Sequence, residues 1–167
     1  MNITLPDGSV RDLKQGSTGQ DLANDIGPGL AKAAIAVSVN GIQKDLSDPI
    51  NEDSEVSIIT LDSEDGLEIM RHTLTAQVLA RAVQNLYPGT KLAIGPTIKD
   101  GFYYDFEFKK PISPDDLEKI EKEMVKIINS KSSITKKLYS KKDAIAVFKS
   151  KKETYKESII EESEQSD

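Results

Sequence analysis

The chain of 167 residues has no cysteine, no tryptophan and a single histidine, His72. Without cysteine there is no disulfide framework, no thiol nucleophile and no thiolate-bound zinc. Aromatic residues make up only 5%, against 37% hydrophobic and 30% charged residues, so the core is lean and suits one domain or two small ones. No apolar run approaches the roughly 20 residues needed to span a bilayer. The opening stretch, Met1 to Gly8, lacks the basic and apolar regions of a signal peptide. These absences predict a cytoplasmic protein with no membrane partner. Walker A and GxGxxG patterns are also missing, so no nucleotide cofactor is expected within the chain.

Net charge is −6, unevenly spread. Residues 1–65 hold 4 Lys/Arg and 12 Asp/Glu, whereas residues 66–167 hold 18 Lys/Arg and 16 Asp/Glu. The first part therefore repels a phosphate backbone at long range. Any nucleic-acid contact is expected mainly on the second.

Short apolar runs and turn signals alternate through the first 60 residues. Asn2 to Leu5 reads as a strand and Ser9 to Leu13 as its return, across Pro6-Asp7-Gly8. Proline presets the first turn position there, and glycine accepts positive φ. Ser17 with Gln20 has the form of a capping box and predicts a helix from Thr18, with Leu22, Ala23 and Ile26 buried. Gly27-Pro28-Gly29 is expected to end that helix. Ala34 to Val39 is β-rich, Asn40-Gly41 signals a hairpin, Ile42 to Leu46 pairs back, and Ser54 to Thr60 closes the set. One helix crossing a small mixed sheet is a ubiquitin-like β-grasp. The expected class is therefore α+β, with a first domain at 1–61, an acidic linker at 62–66 and a second α+β domain at 67–167.

In the second part, Leu67, Met70, Leu74, Val78, Ala82 and Leu86 recur at helical spacing until Pro88-Gly89 stops them. Lys91 to Ile98 and Gly101 to Phe108 read as two strands. Ser113, Pro114, Asp115 and Asp116 open a helix whose buried face is expected to be Leu117, Ile120, Met124, Ile127 and Ile128. Ser133 to Tyr139 reads as a strand, and Ser140 with Asp143 opens a short helix through Phe148. From Lys149 onward the chain is mostly Lys, Glu and Ser.

Two strings carry a resemblance. Asp25-Ile26-Gly27-Pro28-Gly29-Leu30-Ala31-Lys32-Ala33, followed by Val39-Asn40-Gly41, resembles the TGS domain. Ile94-Gly95-Pro96 with Gly101-Phe102-Tyr103-Tyr104-Asp105 resembles the first part of the editing domain of threonyl-tRNA synthetases. Together they imply an N-terminal piece of a threonine–tRNA ligase, whose parent joins threonine to tRNA(Thr) using ATP. ATP and catalytic zinc are implied only for the aminoacylation domain. A homodimer is implied only through domains outside this chain. The other readings are a stand-alone TGS-type RNA-binding or regulatory module and a trans-editing hydrolase.

The same resemblance implies site residues. Family editing domains open with a His-x-x-x-His motif, which sets two imidazoles on one helix face to orient water and ester. Here His72 stands first, and matching both flanks places Gln77 at the second histidine. Glutamine cannot act as a general base. Five α-helical positions also leave roughly 140° between the two side chains, unless a π-bulge takes up the extra residue. Tyr104 is implied as a pocket residue, although three aromatics on one strand suit a core equally well. By alternation Phe102 and Tyr104 share one face, and Tyr103 and Asp105 the other. Lys156 is implied as the pocket lysine, where a cation suits a terminal phosphate or a hydroxyl. The family's later Cys-Arg-Gly-Pro-His element does not occur.

The charge split yields a first prediction. Filter binding of residues 1–61 and 66–167 to tRNA across a salt series should place weak, salt-sensitive affinity on the second segment. Tighter binding by the first would show that net charge does not direct the contact.

Overall fold

The computed structural model describes residues 1–164. They divide into two units, Met1–Met70 and Arg71 onward.

The first unit is built on β1 (Asn2–Thr4), β2 (Val10–Asp12), α1 (Gly19–Ile26), α2 (Pro28–Ala33), β3 (Ala34–Val39), β4 (Ile42–Lys44) and β5 (Ser54–Thr60). The sheet order is β2-β1-β5-β3-β4. The β1 and β5 strands pair in parallel, and every other pair is antiparallel. This is the mixed sheet of a β-grasp. The Asn40-Gly41 hairpin forms with φ of 50° and 80°, the left-handed pair that a two-residue turn requires. Helix α1 starts where its cap can be satisfied. The Thr18 hydroxyl accepts from Asp21 N at 3.1 Å, and the Asp21 carboxylate accepts from Thr18 N at 2.9 Å. The box is thus Thr18 with Asp21 rather than Ser17 with Gln20, because only residues three apart around the true cap can exchange these bonds. Leu22 and Ala23 are buried as expected. Gly27-Pro28-Gly29 does more than end α1: Pro28 takes the first position of α2, where its missing N–H costs nothing. Ile3, Leu22, Val37, Val39, Ile50 and Val56 form the core.

The stretch expected as an acidic linker, residues 62–66, is helical from Glu64. Helix α3 (Glu64–Thr73) begins there, and Gly66 N donates to Ser63 Oγ at 3.1 Å. Glu64 and Asp65 sit at the positive end of the helix dipole, so their acidity favours a helix start. A Cβ on Gly66 would lie 1.9 Å from the Thr60 carbonyl oxygen, so the chain has room for glycine alone.

The second unit continues this helix through a π segment (Leu74–Leu79) and α4 (Ala80–Leu86). Four two-residue strands follow: β6 (Lys91–Leu92), β7 (Thr97–Ile98), β8 (Gly101–Phe102) and β9 (Phe106–Glu107). The expected long hairpin is therefore interrupted. Leu92 pairs with Phe106 and Thr97 with Phe102, so four residues of the first strand lie opposite three of the second. Ile94-Gly95-Pro96 absorbs the excess as a bulge, at a proline that cannot donate to a ladder.

Helix α5 (Pro114–Asn129) is capped by Ser113 and Asp116. Lys119 and the Ser113 cap hold the Asp116 carboxyl well below the usual carboxylate range. Ala82, Val83 and Ile120 form the small core, with Met124 and Ile127 packed on it. Leu117 and Ile128, expected inside, are exposed. The expected strand at Ser133–Tyr139 is not a strand. A ladder needs a partner strand, none of the described strands pairs with this stretch, and Leu138 is 85% exposed. Helix α6 (Lys141–Ser150) is capped by Ser140, and α7 (Thr154–Glu162) forms within the Lys- and Glu-rich tail. Among the described residues no helix is long and apolar enough to cross a membrane.

Two glycines give a second prediction. A Cβ on Gly19 would sit 2.8 Å from Val37 Cβ, whereas one on Gly29 meets nothing within 4 Å. Gly19→Ala should lower stability by about 1–3 kcal/mol through overpacking. Gly29→Ala should leave it unchanged or raise it by up to ~1 kcal/mol. Urea midpoints of the two variants check the contrast.

Candidate functional site

The helix that carries His72 and Gln77 widens between them. Over Leu74–Leu79 its bonds close five residues apart, as in Ala80 N to Thr75 O. Thr75 is fully buried, and its hydroxyl donates to Arg71 O at 2.7 Å. Such back-bonding loosens the regular ladder and favours a bend. A π turn takes roughly 4.4 residues rather than 3.6, so the angle between positions 72 and 77 narrows from roughly 140° toward about 50°. Both side chains are exposed.

Thr75 faces the bulged hairpin. A Cβ on Gly95 would lie 2.3 Å from Tyr104 Cδ2 and 2.7 Å from Thr75 Cγ2. Glycine at 95 thus lets a tyrosine ring and a threonine methyl close over bare backbone. The side-chain alternation predicted for this strand is present: Phe102, Tyr104, Phe106 and Phe108 are partly buried, and Tyr103, Asp105 and Glu107 are exposed. Tyr104 stacks on Phe106 with centroids 4.6 Å apart, and Phe108 meets Tyr87 edge-on at 5.6 Å. A cavity of about 630 Å³ opens beside this ladder, lined by Leu79, Val83, Tyr104, Asp105 and Phe106 among others.

Burial, and then the negative charge of Glu153, push the Tyr104 hydroxyl above its ordinary pKa. Glu153 is the N-cap residue of α7. One of its carboxylate oxygens accepts from Gln84 Nε2, while the other is buried and accepts from no described residue. Thr75, Gln84 and Glu153 were not singled out in the sequence. Thr75 sits among apolar helix positions and Glu153 in a charged run, so neither carries a pattern that marks it.

Gln77 and Tyr104 line different cavities. Gln77 lines a separate groove of about 390 Å³ with Val78, Arg81 and residues 131–135, and neither His72 nor Tyr104 lines it. Lys156 is half-buried on α7, with its ammonium 5.5 Å over the Phe148 ring. Among the described residues no group of three or more His, Asp or Glu side chains is placed to hold a metal ion.

Helix α7 is tied to the hairpin by a polar knot. Lys91 Nζ lies 3.0 Å from the Glu107 carboxylate, which also accepts from the Tyr155 hydroxyl. The bond from Tyr155, and then that from Lys91, hold the Glu107 carboxyl below its ordinary value. A depressed carboxyl contributes stability above its unfolded pKa and loses it as pH falls through the folded one. Amide exchange in α7 should therefore quicken as pH drops below roughly 4.5, after correction for intrinsic exchange. Glu107→Gln should flatten that acid-side dependence. An unchanged profile would remove Glu107 from this role. Separately, Gly95→Ala should lower the stability of the second unit by about 1–3 kcal/mol, because the Tyr104 ring must move. Thermal melts followed by tyrosine absorbance check it.

Comparison with known proteins places this geometry. Residues 1–60 match the TGS domain family. The chain is 50% identical over 158 residues to a threonine–tRNA ligase of Rhodospirillum rubrum, covering 95% of this chain and 24% of that protein. It is 49% identical over 159 residues to one from Acidithiobacillus ferrooxidans, covering 95% of this chain and 24% of that protein. For one from Maricaulis maris the identity is 47% over 160 residues, covering 96% and 25%. The chain spans about a quarter of the length of the curated relatives it matches. It carries a TGS domain at residues 1–60 and corresponds, along 95% of its length, to the N-terminal region of threonine–tRNA ligases.

Proposed function

We propose that this chain is the appended N-terminal region of a threonine–tRNA ligase, a cytoplasmic enzyme that attaches threonine to tRNA(Thr) with ATP. Residues 1–61 are its β-grasp domain, and residues 67–167 are the first part of its proofreading domain. The observation that carries this reading is the extent of the match. Identity of 50% runs over 158 residues, well past the TGS domain and through the unit that holds Gly95 and Tyr104. Aminoacylation, with its ATP and zinc, and dimer contacts are assigned to the three quarters of the relatives' length that this chain does not cover. The donor set supports this for zinc, since there is no cysteine and the single histidine is exposed.

Within the chain, His72, Tyr104 and Lys156 are the proposed proofreading residues, and Gln77 stands in place of a second imidazole. The imidazole of His72 has a ring nitrogen that can serve as a base, whereas Gln77 can only donate and accept hydrogen bonds. The π segment brings positions 72 and 77 nearer one face, which supports a shared past role in orienting water. Gln77 lines a different groove from the cavity that Tyr104 lines, so the two are not positioned together on one ester and one water. Well-organised sites gain about 7–11 kcal/mol from that positioning.

The chain alone is therefore expected not to deacylate seryl-tRNA(Thr). The assay compares purified chain with a no-enzyme control. Hydrolysis well above the control and abolished by His72→Ala would overturn the claim of inactivity. It would also make Gln77 a working substitute.

A further inference from the structure

The groove beside Gln77 is chemically one-sided. Its lining includes Arg81 and Lys131, the Gln77 amide and the hydroxyls of Ser132, Ser133 and Thr135, and it includes no carboxylate. In a chain of net charge −6, a cleft of about 390 Å³ with two cations, four neutral polar groups and no acid departs from the average surface. Among the described residues neither Arg81 nor Lys131 forms a salt bridge. The carboxylate that feels Arg81 is Glu123, and it is already engaged by Asn85 at 2.9 Å and Lys126 at 3.3 Å.

Helix α5 ends beside the groove, and its last carbonyls are consumed locally. Ser130 N donates to Lys126 O and Ile127 O, Lys131 N donates to Ile128 O, and Ser130 Oγ donates to Ile127 O. The negative end of the helix is thereby muted where the lysine stands. Lys131 adopts φ of 49°, a left-handed conformation that glycine would take at less cost. A side chain kept at such a position is a pointer to use. On the opposite wall Gln77 and Arg81 are four residues apart on the helix.

We infer that this groove is a phosphate site, and that it holds a backbone phosphodiester of RNA between Arg81 and Lys131, with the Gln77 amide as a third donor. Arg81 offers a planar fork for two phosphate oxygens, and Lys131 offers a point charge. The inference rests on the proposed tRNA partner and deepens it by locating one contact.

Two measurements test it on the full chain. In the first, a short RNA hairpin with a single-stranded 3′ tail is titrated across a salt series. The double variant Arg81→Gln/Lys131→Gln should weaken binding about tenfold near 0.1 M salt, at roughly half a decade per contact. It should also flatten the log–log salt slope by about 1.4–1.8. Lys99→Ala/Lys122→Ala removes the same charge outside the groove and should change the slope little. Equal losses from both pairs would mean that net charge governs binding, which overturns the site but leaves the tRNA reading standing. In the second, inorganic phosphate is titrated while the Gln77 side-chain amide and the Lys131 backbone amide are followed by NMR. Saturable shifts that vanish in the Arg81→Gln/Lys131→Gln variant support the site even if RNA fails to bind, a result that would count against the tRNA reading alone. No shift at either amide overturns the inference.

Discussion

The second unit depends on one close approach, that of Tyr104 and Thr75 over the bare backbone of Gly95. A methyl group cannot fit between them, since its carbon would lie 2.3 Å from the ring and 2.7 Å from the threonine methyl. That contact seats the hairpin on the helix. The aromatic ladder from Tyr104 through Phe106 and Phe108 to Tyr87 then follows from strand alternation. The buried cluster of Ala82, Val83 and Ile120 is small, so the aromatic residues packed against it, Tyr87, Phe106 and Phe108, bear much of the packing. The first unit is organised differently. Its core of Ile3, Leu22, Val37, Val39, Ile50 and Val56 lies between a five-stranded mixed sheet and one helix, and Gly19 against Val37 sets how near that helix can come.

Polar interactions do the remaining positioning. Helix α7 is docked by Lys91, Glu107 and Tyr155 at one point and by Gln84 with Glu153 at another. The second of these leaves a carboxylate oxygen enclosed with no donor among the described residues, and the Glu153 charge is felt by the Tyr104 phenol. Buried acceptors in that state are uncommon in folded proteins. This one lies between the aromatic ladder and the helix that carries Lys156.

The first unit was largely legible because its signals are local. Asn40-Gly41 dictates its own turn, and the alternation in Ser54–Thr60 and Ala34–Val39 marks strands with a buried face. The capping box was misplaced by one residue because Ser17 and Thr18 are equally good caps in sequence, and only the position of Asp21 decides between them. The linker was misread because acidity suits both a solvated connection and a helix start. In the second unit, the strand proposed at Ser133–Tyr139 failed because a strand depends on a neighbour that local sequence does not reveal. Leu117 and Ile128 failed because helical periodicity gives a face but not how widely it is covered. Of the site, the closeness of Gly95 and Tyr104 could be suspected from the glycine. The parts played by Thr75 and Glu153 could not, since each depends on residues far away in sequence.

The widened turn at Leu74–Leu79 has a consequence for how such a helix tolerates change in length. One residue added to an α-helix rotates everything after it by about 100°, which would swing Ala80, Ala82 and Val83 out of their contacts. A turn closed five residues apart takes in the added residue and returns most of that rotation, so the helix works as a slip joint. Beyond the joint the buried row stays in register with α5. On the joint itself, the side chains are redistributed around the axis. Thr75 stays fixed by its contact with Gly95, but the exposed position 77 on this turn is freed from the spacing that binds the rest of the helix, and a change of chemistry there need not disturb the surrounding fold.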